Sequence, residues 1–188
     1  IYFRPEVFKA AVKDIKAALR AIRGPSKKII LVDLDETLWG GIVGDDGWEN
    51  LRLGGHDAIG ESYVEFQLGL KSLMNRGILL GIISKNEEQI ALEAINKHPE
   101  MVLRQNDFVG WRINWEDKAK NIQLLLAELR LGLDSAVFID DSVYEREQVK
   151  ATLPGVFVPS WPLDKTRYVE ALQQLTSFDT PIATTEDK

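Results

Sequence analysis

The chain has 188 residues, enough for one domain with a sizeable core, and its 45% apolar and 28% charged residues are ordinary for a globular protein. A net charge of -6 disfavours a nucleic-acid-binding surface. The absence of cysteine excludes disulfides, thiolate nucleophiles and cysteine metal sites, and no apolar stretch is long enough to cross a bilayer. A cytoplasmic setting without membrane partners is the expectation.

Residues 5–23 repeat apolar side chains near a 3.6-residue period, from Val7 and Phe8 to Leu19 and Ile22, which predicts a helix ended by Gly24-Pro25. Residues 1–24 are therefore assigned to an N-terminal helix, read as the end of a linker from a longer protein. Residues 28–34 form a continuous apolar run, the pattern of a strand covered on both faces. Residues 39–58 carry six glycines along with Trp39 and Trp48 and read as a loop or short hairpin flap. The period then alternates. Helices are expected over 60–75, 87–97, 115–131, 143–152 and 165–175. Strands are expected over 78–83, 101–103, 136–140 and 156–158. Residues 177–188 are polar and read as a tail or linker, leaving 25–176 as the catalytic domain.

Strands and helices in turn predict an α/β fold with a mostly parallel central sheet between two helical layers. In such folds the functional groups gather at the carboxyl ends of the strands. Four loci fall there: Asp33 with Asp35, Ser84, Lys118 at a helix start, and Asp140 with Asp141. Alone, each has a plain reading. Asp-X-Asp occurs on surface turns, Asp140-Asp141 suits a helix cap, serine caps helices and lysine solvates surfaces. Together, four acids at the ends of two strands repel one another unless a cation or a shared proton lies between them. His56 and His98 have no acidic or histidine cluster in sequence and read as structural.

The chemistry open to this set is metal-assisted phosphoryl transfer. Asp33 is placed to attack phosphorus and Asp35 to act as general acid and then base. Thr37 is expected to orient Asp35. Asp33, Asp140 or Asp141, with the residue 35 carbonyl, offer the oxygen ligands that Mg²⁺ prefers. Ser84, with Lys85 and Asn86 before a helix, is expected to hold phosphate oxygens, and Lys118 to neutralise charge or pair with a late acid. Trp39 is a candidate for the substrate mouth.

These residues resemble the motifs of the haloacid dehalogenase-like phosphotransferase superfamily over about residues 28–160: Asp33-Leu34-Asp35-Glu36-Thr37, Ser84, Lys118 and Asp140-Asp141. The resemblance implies a three-layer Rossmann-like fold, Asp33 as nucleophile, Asp35 as acid/base, and Mg²⁺ held by Asp33, the Asp35 carbonyl and one of Asp140 and Asp141. A narrower likeness is to the FkbH-like branch. It rests on Leu38-Trp39-Gly40-Gly41-Ile42-Val43-Gly44-Asp45-Asp46-Gly47, Ser84-Lys85-Asn86-Glu87, the Asn114–Ile122 segment and Phe138-Ile139-Asp140-Asp141-Ser142. Members associated with polyketide assembly resemble glyceryl transferases that load an acyl carrier protein. They carry a cysteine where this chain has Leu34, so a glyceryl thioester on the enzyme is closed to it. About twenty residues between Thr37 and the next helix allow a hairpin flap but no large cap domain.

The expected activity is a Mg²⁺-dependent phosphatase or phosphotransferase acting through an aspartyl-phosphate on a small phosphorylated acid or sugar acid. Two other readings remain: glyceryl transfer to a carrier protein without the cysteine, and a non-catalytic module that binds a carrier or neighbouring domain.

Overall fold

The computed structural model describes residues 15, 27–175 and 178. The predicted N-terminal helix, apart from Ile15, which is helical, lies outside the described residues, as does the polar tail apart from Phe178.

Four parallel strands form the central sheet in the order β3-β2-β1-β4. They are β1 (Ile29–Val32), β2 (Leu79–Ser84), β3 (Gly110–Ile113) and β4 (Ala136–Ile139). β1 is flanked on both sides, with Val32 aligned to Ile82 and to Ile139. Its side chains therefore face a helix layer whichever way they point. Ile30 and Val32 pack with α2 (Ala58–Asn75), α3 (Glu88–Lys97) and α6 (Tyr168–Gln173) in one apolar cluster. Ile29 and Leu31 pack with α4 (Lys118–Glu128) and α5 (Val143–Thr152) in the other. All four β1 residues are fully buried, each contributing about 1.5–3 kcal/mol of hydrophobic stabilisation. Gly81 on β2 is required by this packing, because a Cβ there would lie 2.8 Å from a Leu31 methyl.

The segment after β1 folds over the strand's end. It holds a single helical turn, α1 (Val43–Asp46), and a 3₁₀ turn at Trp48–Asn50. An antiparallel bridge between Gly40 and Arg52 closes its base, so the expected flap is present as a short hairpin-like excursion. Gly41 has φ of 100°, and a Cβ there would meet an Asp46 carboxylate oxygen at 2.7 Å. Among the described residues no large cap is present.

Three expectations change. Residues 101–103 are not a strand; the fourth sheet member is Gly110–Ile113, at the β3 edge. The predicted 156–158 strand is reduced to one bridge, between Val137 and Phe157. The expected 115–131 helix begins only at Lys118, where the Asp117 side chain caps it by accepting from Lys120 N–H. No described helix is long and apolar enough to cross a membrane.

Candidate active site

Asp33 continues the β1 ladder by one residue, its N–H donating to Ile139 O at 3.0 Å. The chain then turns sharply. The N–H groups of Thr37 and Leu38 both donate to Leu34 O, and Glu36 takes φ of 56°. A left-handed conformation is costly for a residue with a Cβ, and the tertiary contacts of Glu36 hold it there. Its carbonyl accepts from Lys165 Nζ at 2.6 Å and from the Tyr168 hydroxyl at 3.1 Å.

Three charged groups meet below this turn. Lys118 is 3% exposed, and its Nζ lies 2.6 Å from Asp140 Oδ2 and 3.0 Å from Asp33 Oδ2. Burial opposes the charge on Lys118, but Asp33 and Asp140 outweigh it and raise its pKa. Burial and then the Asp33 charge push the Asp140 carboxyl up, against Lys118 and the Ser142 N–H. Both Asp140 oxygens are engaged, since Oδ1 accepts from Ser142 N–H at 2.9 Å. The backbone carbonyls of Asp140 and Asp141 are clamped by Arg146 Nη1 at 2.5 and 2.7 Å.

Asp33, Asp140 and Asp141 present carboxylate oxygens within 4.8 Å of one another. Asp33 Oδ1 is buried and has no hydrogen-bond partner. Such an oxygen costs free energy unless something cationic or protic meets it, so the donor set fits a hard divalent ion. Asp141 is the less committed late acid. It keeps a long 3.5 Å contact from the Thr37 hydroxyl and lies 3.6 Å from Lys165. Burial, opposed by Lys165, raises its pKa.

Asp35 is treated differently. Oδ1 accepts from Trp39 Nε1 at 2.8 Å and Val43 N–H at 3.1 Å, and Oδ2 accepts from Asn86 Nδ2 at 2.8 Å. Burial raises its pKa, these neutral donors oppose the rise, and Asp33 adds to it.

Several expected substrate contacts are redirected. Trp39 is fully buried, and its indole N–H serves Asp35, so it does not line a mouth. Thr37 does not orient Asp35; its hydroxyl accepts from Asp141 N–H at 3.1 Å. Asn86 is spent on Asp35 and on the Glu87 N–H, which fixes its amide. Lys85 pairs with Glu145 at 2.7 Å. Ser84 stands at the end of β2, buried, with its carbonyl accepting from Asn114 N–H. Lys165 was not foreseen. It lies past the last motif on a 3₁₀ turn, and nothing in its neighbourhood in sequence marks it.

No protein-family model matches the chain, and no curated protein does. Among solved structures, the chain is similar to the N-terminal part of the protein BF1531 from Bacteroides fragilis, which contains a phosphatase domain complexed with Mg. The two are 45% identical with a TM-score of 0.85, over 89% of this chain and 44% of that one. The chain thus spans less than half the length of that relative. A hypothetical protein, XCC2798, from Xanthomonas campestris shares the fold at 19% identity and a TM-score of 0.52, over 84% of this chain and 85% of its own. An uncharacterized protein from Corynebacterium glutamicum does so at 13% and 0.50, over 82% of this chain and 98% of its own. The chain shares the three-layer α/β fold of that Bacteroides structure, without a large cap among its described residues.

Proposed function

We propose that the chain is a Mg²⁺-dependent phosphatase that acts through an aspartyl-phosphate on a small phosphorylated acid or sugar acid. The observation that carries this reading is Asp33, held by Lys118, with one buried oxygen unpartnered beside Asp141 and two residues before Asp35. The Bacteroides relative, with its phosphatase domain and Mg, supports it.

An Asp33 oxygen forms the bond to phosphorus as the ester oxygen leaves with the bonding electron pair. Asp35, in its protonated form, gives that oxygen its proton. Asp35 then takes a proton from water, whose oxygen attacks phosphorus and breaks its bond to Asp33, releasing inorganic phosphate. Lys118 offsets charge at Asp33 throughout, and Ser84 stands at the neighbouring strand end to donate to a phosphoryl oxygen. Mg²⁺ bound by Asp33 and Asp141 would neutralise charge on the phosphoryl oxygens. Asp140 is left to Lys118, because both its oxygens are already engaged.

The glyceryl-transfer reading and its carrier-protein partner gain nothing from the geometry. Leu34 is fully buried in the core and offers no nucleophile where the transferases carry cysteine. The test is Mg²⁺-dependent phosphate release from a panel of phosphorylated acids and sugars. Asp33→Asn is expected to lower turnover by at least about a thousandfold while keeping the fold, and chelation of Mg²⁺ to abolish it. Turnover by Asp33→Asn close to that of the wild type would overturn the nucleophile assignment.

A further inference from the structure

Beside the acidic centre lies a recess of about 410 Å³ that the proposed phosphoryl chemistry leaves unused. Its walls come from three distant parts of the chain. The flap gives Gly40, Gly41 and Arg52, α2 gives Tyr63, and the turn before α6 gives Lys165. Glu36, one residue from Asp35, forms the side nearest the acids.

The recess is joined to the centre by Lys165. Its Nζ lies 3.2 Å from Glu36 Oε2 and 3.6 Å from Asp141 Oδ2, and Asp141 belongs to the cluster that includes Asp33. A carbon chain leaving a phosphoryl group at Asp33 would pass Asp141 to enter the recess at Lys165. The left-handed Glu36 backbone sets the carboxylate in the wall, where Gly41 N–H and the Tyr63 hydroxyl donate to it at 2.7 and 3.3 Å. Space for the recess depends on the missing side chain at 40. A Cβ there would lie 3.0 Å from the Tyr63 ring.

The chemistry of the walls selects among leaving groups. Lys165 and Arg52 are donors, and Glu36 is an acceptor with a partly exposed side chain. A second carboxylate on the ligand would meet Glu36 beside Lys165 and be repelled. A bare hydrocarbon would cover these groups without replacing their bonds to water. Lys165 also donates to the Glu36 carbonyl and the Tyr168 hydroxyl, so a ligand hydroxyl, which both donates and accepts, enters by inserting between Lys165 Nζ and Glu36 Oε2. We propose that this recess is the leaving-group subsite, and that Lys165 and Glu36 read the hydroxyls of a polyol or sugar phosphate. This assignment rests on the phosphatase reading of Asp33. It narrows the substrate to one whose hydroxyls, rather than its acid group, enter the recess.

The test compares glycerol 3-phosphate with n-propyl phosphate, which share a carbon skeleton and differ in two hydroxyls. In the wild type kcat/KM is expected to favour the glycerol ester by at least about tenfold, as for sites built to bind substrate hydroxyls. Lys165→Met is expected to collapse that ratio towards one. Because Lys165 also holds the Glu36 carbonyl, Tyr63→Phe is the second variant. It keeps the ring and loosens only the Glu36 carboxylate, and a fall of about threefold in the ratio is expected. Calorimetric binding of both esters to Asp33→Asn in the presence of Mg²⁺ gives a readout free of turnover, with the same preference expected. Equal kcat/KM for the two esters, or a ratio unmoved in both variants, would overturn the subsite and leave the phosphatase reading standing. Failure of the wild type to hydrolyse any phosphate ester would overturn both.

Discussion

Asp33 and Asp35 stand two positions apart on one turn and are neutralised by different means. Asp33 faces the α4 and α5 side, where a buried lysine and a second buried carboxylate share charge. Asp35 lies under the flap, where an indole, a backbone amide and a side-chain amide donate to it without carrying charge. The first arrangement suits a carboxylate that must stay an anion for phosphorus or an ion. The second suits one that gains and loses a proton, since neutral donors stabilise its anion without fixing it. Removing a partner on the first side strands a buried charge. Removing one on the second leaves a carboxylate short of one neutral donor.

Beyond loss of the nucleophile, the largest effect expected from breaking this contrast is on stability. Lys118→Met leaves Asp33 and Asp140 buried with no cation and is expected to cost about 3–5 kcal/mol in urea unfolding at neutral pH. Adding Asp140→Asn should recover part of that loss. A loss below about 1 kcal/mol would mean that solvent or a shared proton already offsets the pair. On the other side, Asn86→Ala is expected to cost only about 1 kcal/mol of stability while lowering kcat about tenfold, because Asp35 loses the donor that fixes Oδ2. Equal damage to stability in the two variants would erase the distinction.

The smallest effect comes from an acid in water. Asp57 caps α2 through Gly60 N–H and forms two contacts with Arg52. Arg52 and then Gly60 N–H hold its pKa down from 3.8 to about 2. A carboxyl depressed in the folded state stabilises the protein above its unfolded pKa, and that contribution is lost as pH falls through the folded value. Asp57→Asn should therefore lower Tm slightly at neutral pH. The difference from wild type should close as pH falls from 3.8 towards 2, in thermal scans. A difference that stays constant over that range would assign the effect to something other than ionisation.

Much of this was legible in the sequence for a simple reason. A run such as Ile29–Val32 that is apolar at every position must be covered on both faces, and a carboxylate just beyond it must sit at the sheet's functional edge. Asp33, Lys118 and the late pair are brought together as that logic expects. The partners of the polar residues were harder to read. Whether Thr37 serves Asp35 or Asp141 depends on the Glu36 backbone, and a left-handed glutamate has no signature in sequence. Trp39 carries both an apolar ring and a donor, and only the turn decides that the ring is core and the N–H points at Asp35. β3 escaped notice because Gly-Trp-Arg-Ile is short, mixed and at the sheet's edge, where burial imposes little pattern. Lys165 escaped because its partners are the carbonyl and carboxylate of a residue far back along the chain.

The position of β1 between β2 and β4 also sets the order in which the molecule can assemble. The strand is made before the other three, yet its second neighbour follows only after β2, β3 and four of the helices. Closing so long a loop costs entropy before the pairing returns anything, so parallel sheets of this kind form slowly. Until β4 arrives, Ile29–Val32 has one open edge, the kind of surface on which nascent chains stick to one another. Asp33 and Asp35 follow the end of that strand with negative charge throughout this interval. The acids of the finished centre thus double as gatekeepers during synthesis, keeping the most apolar segment of the chain apart from its copies until the partner strand is in place.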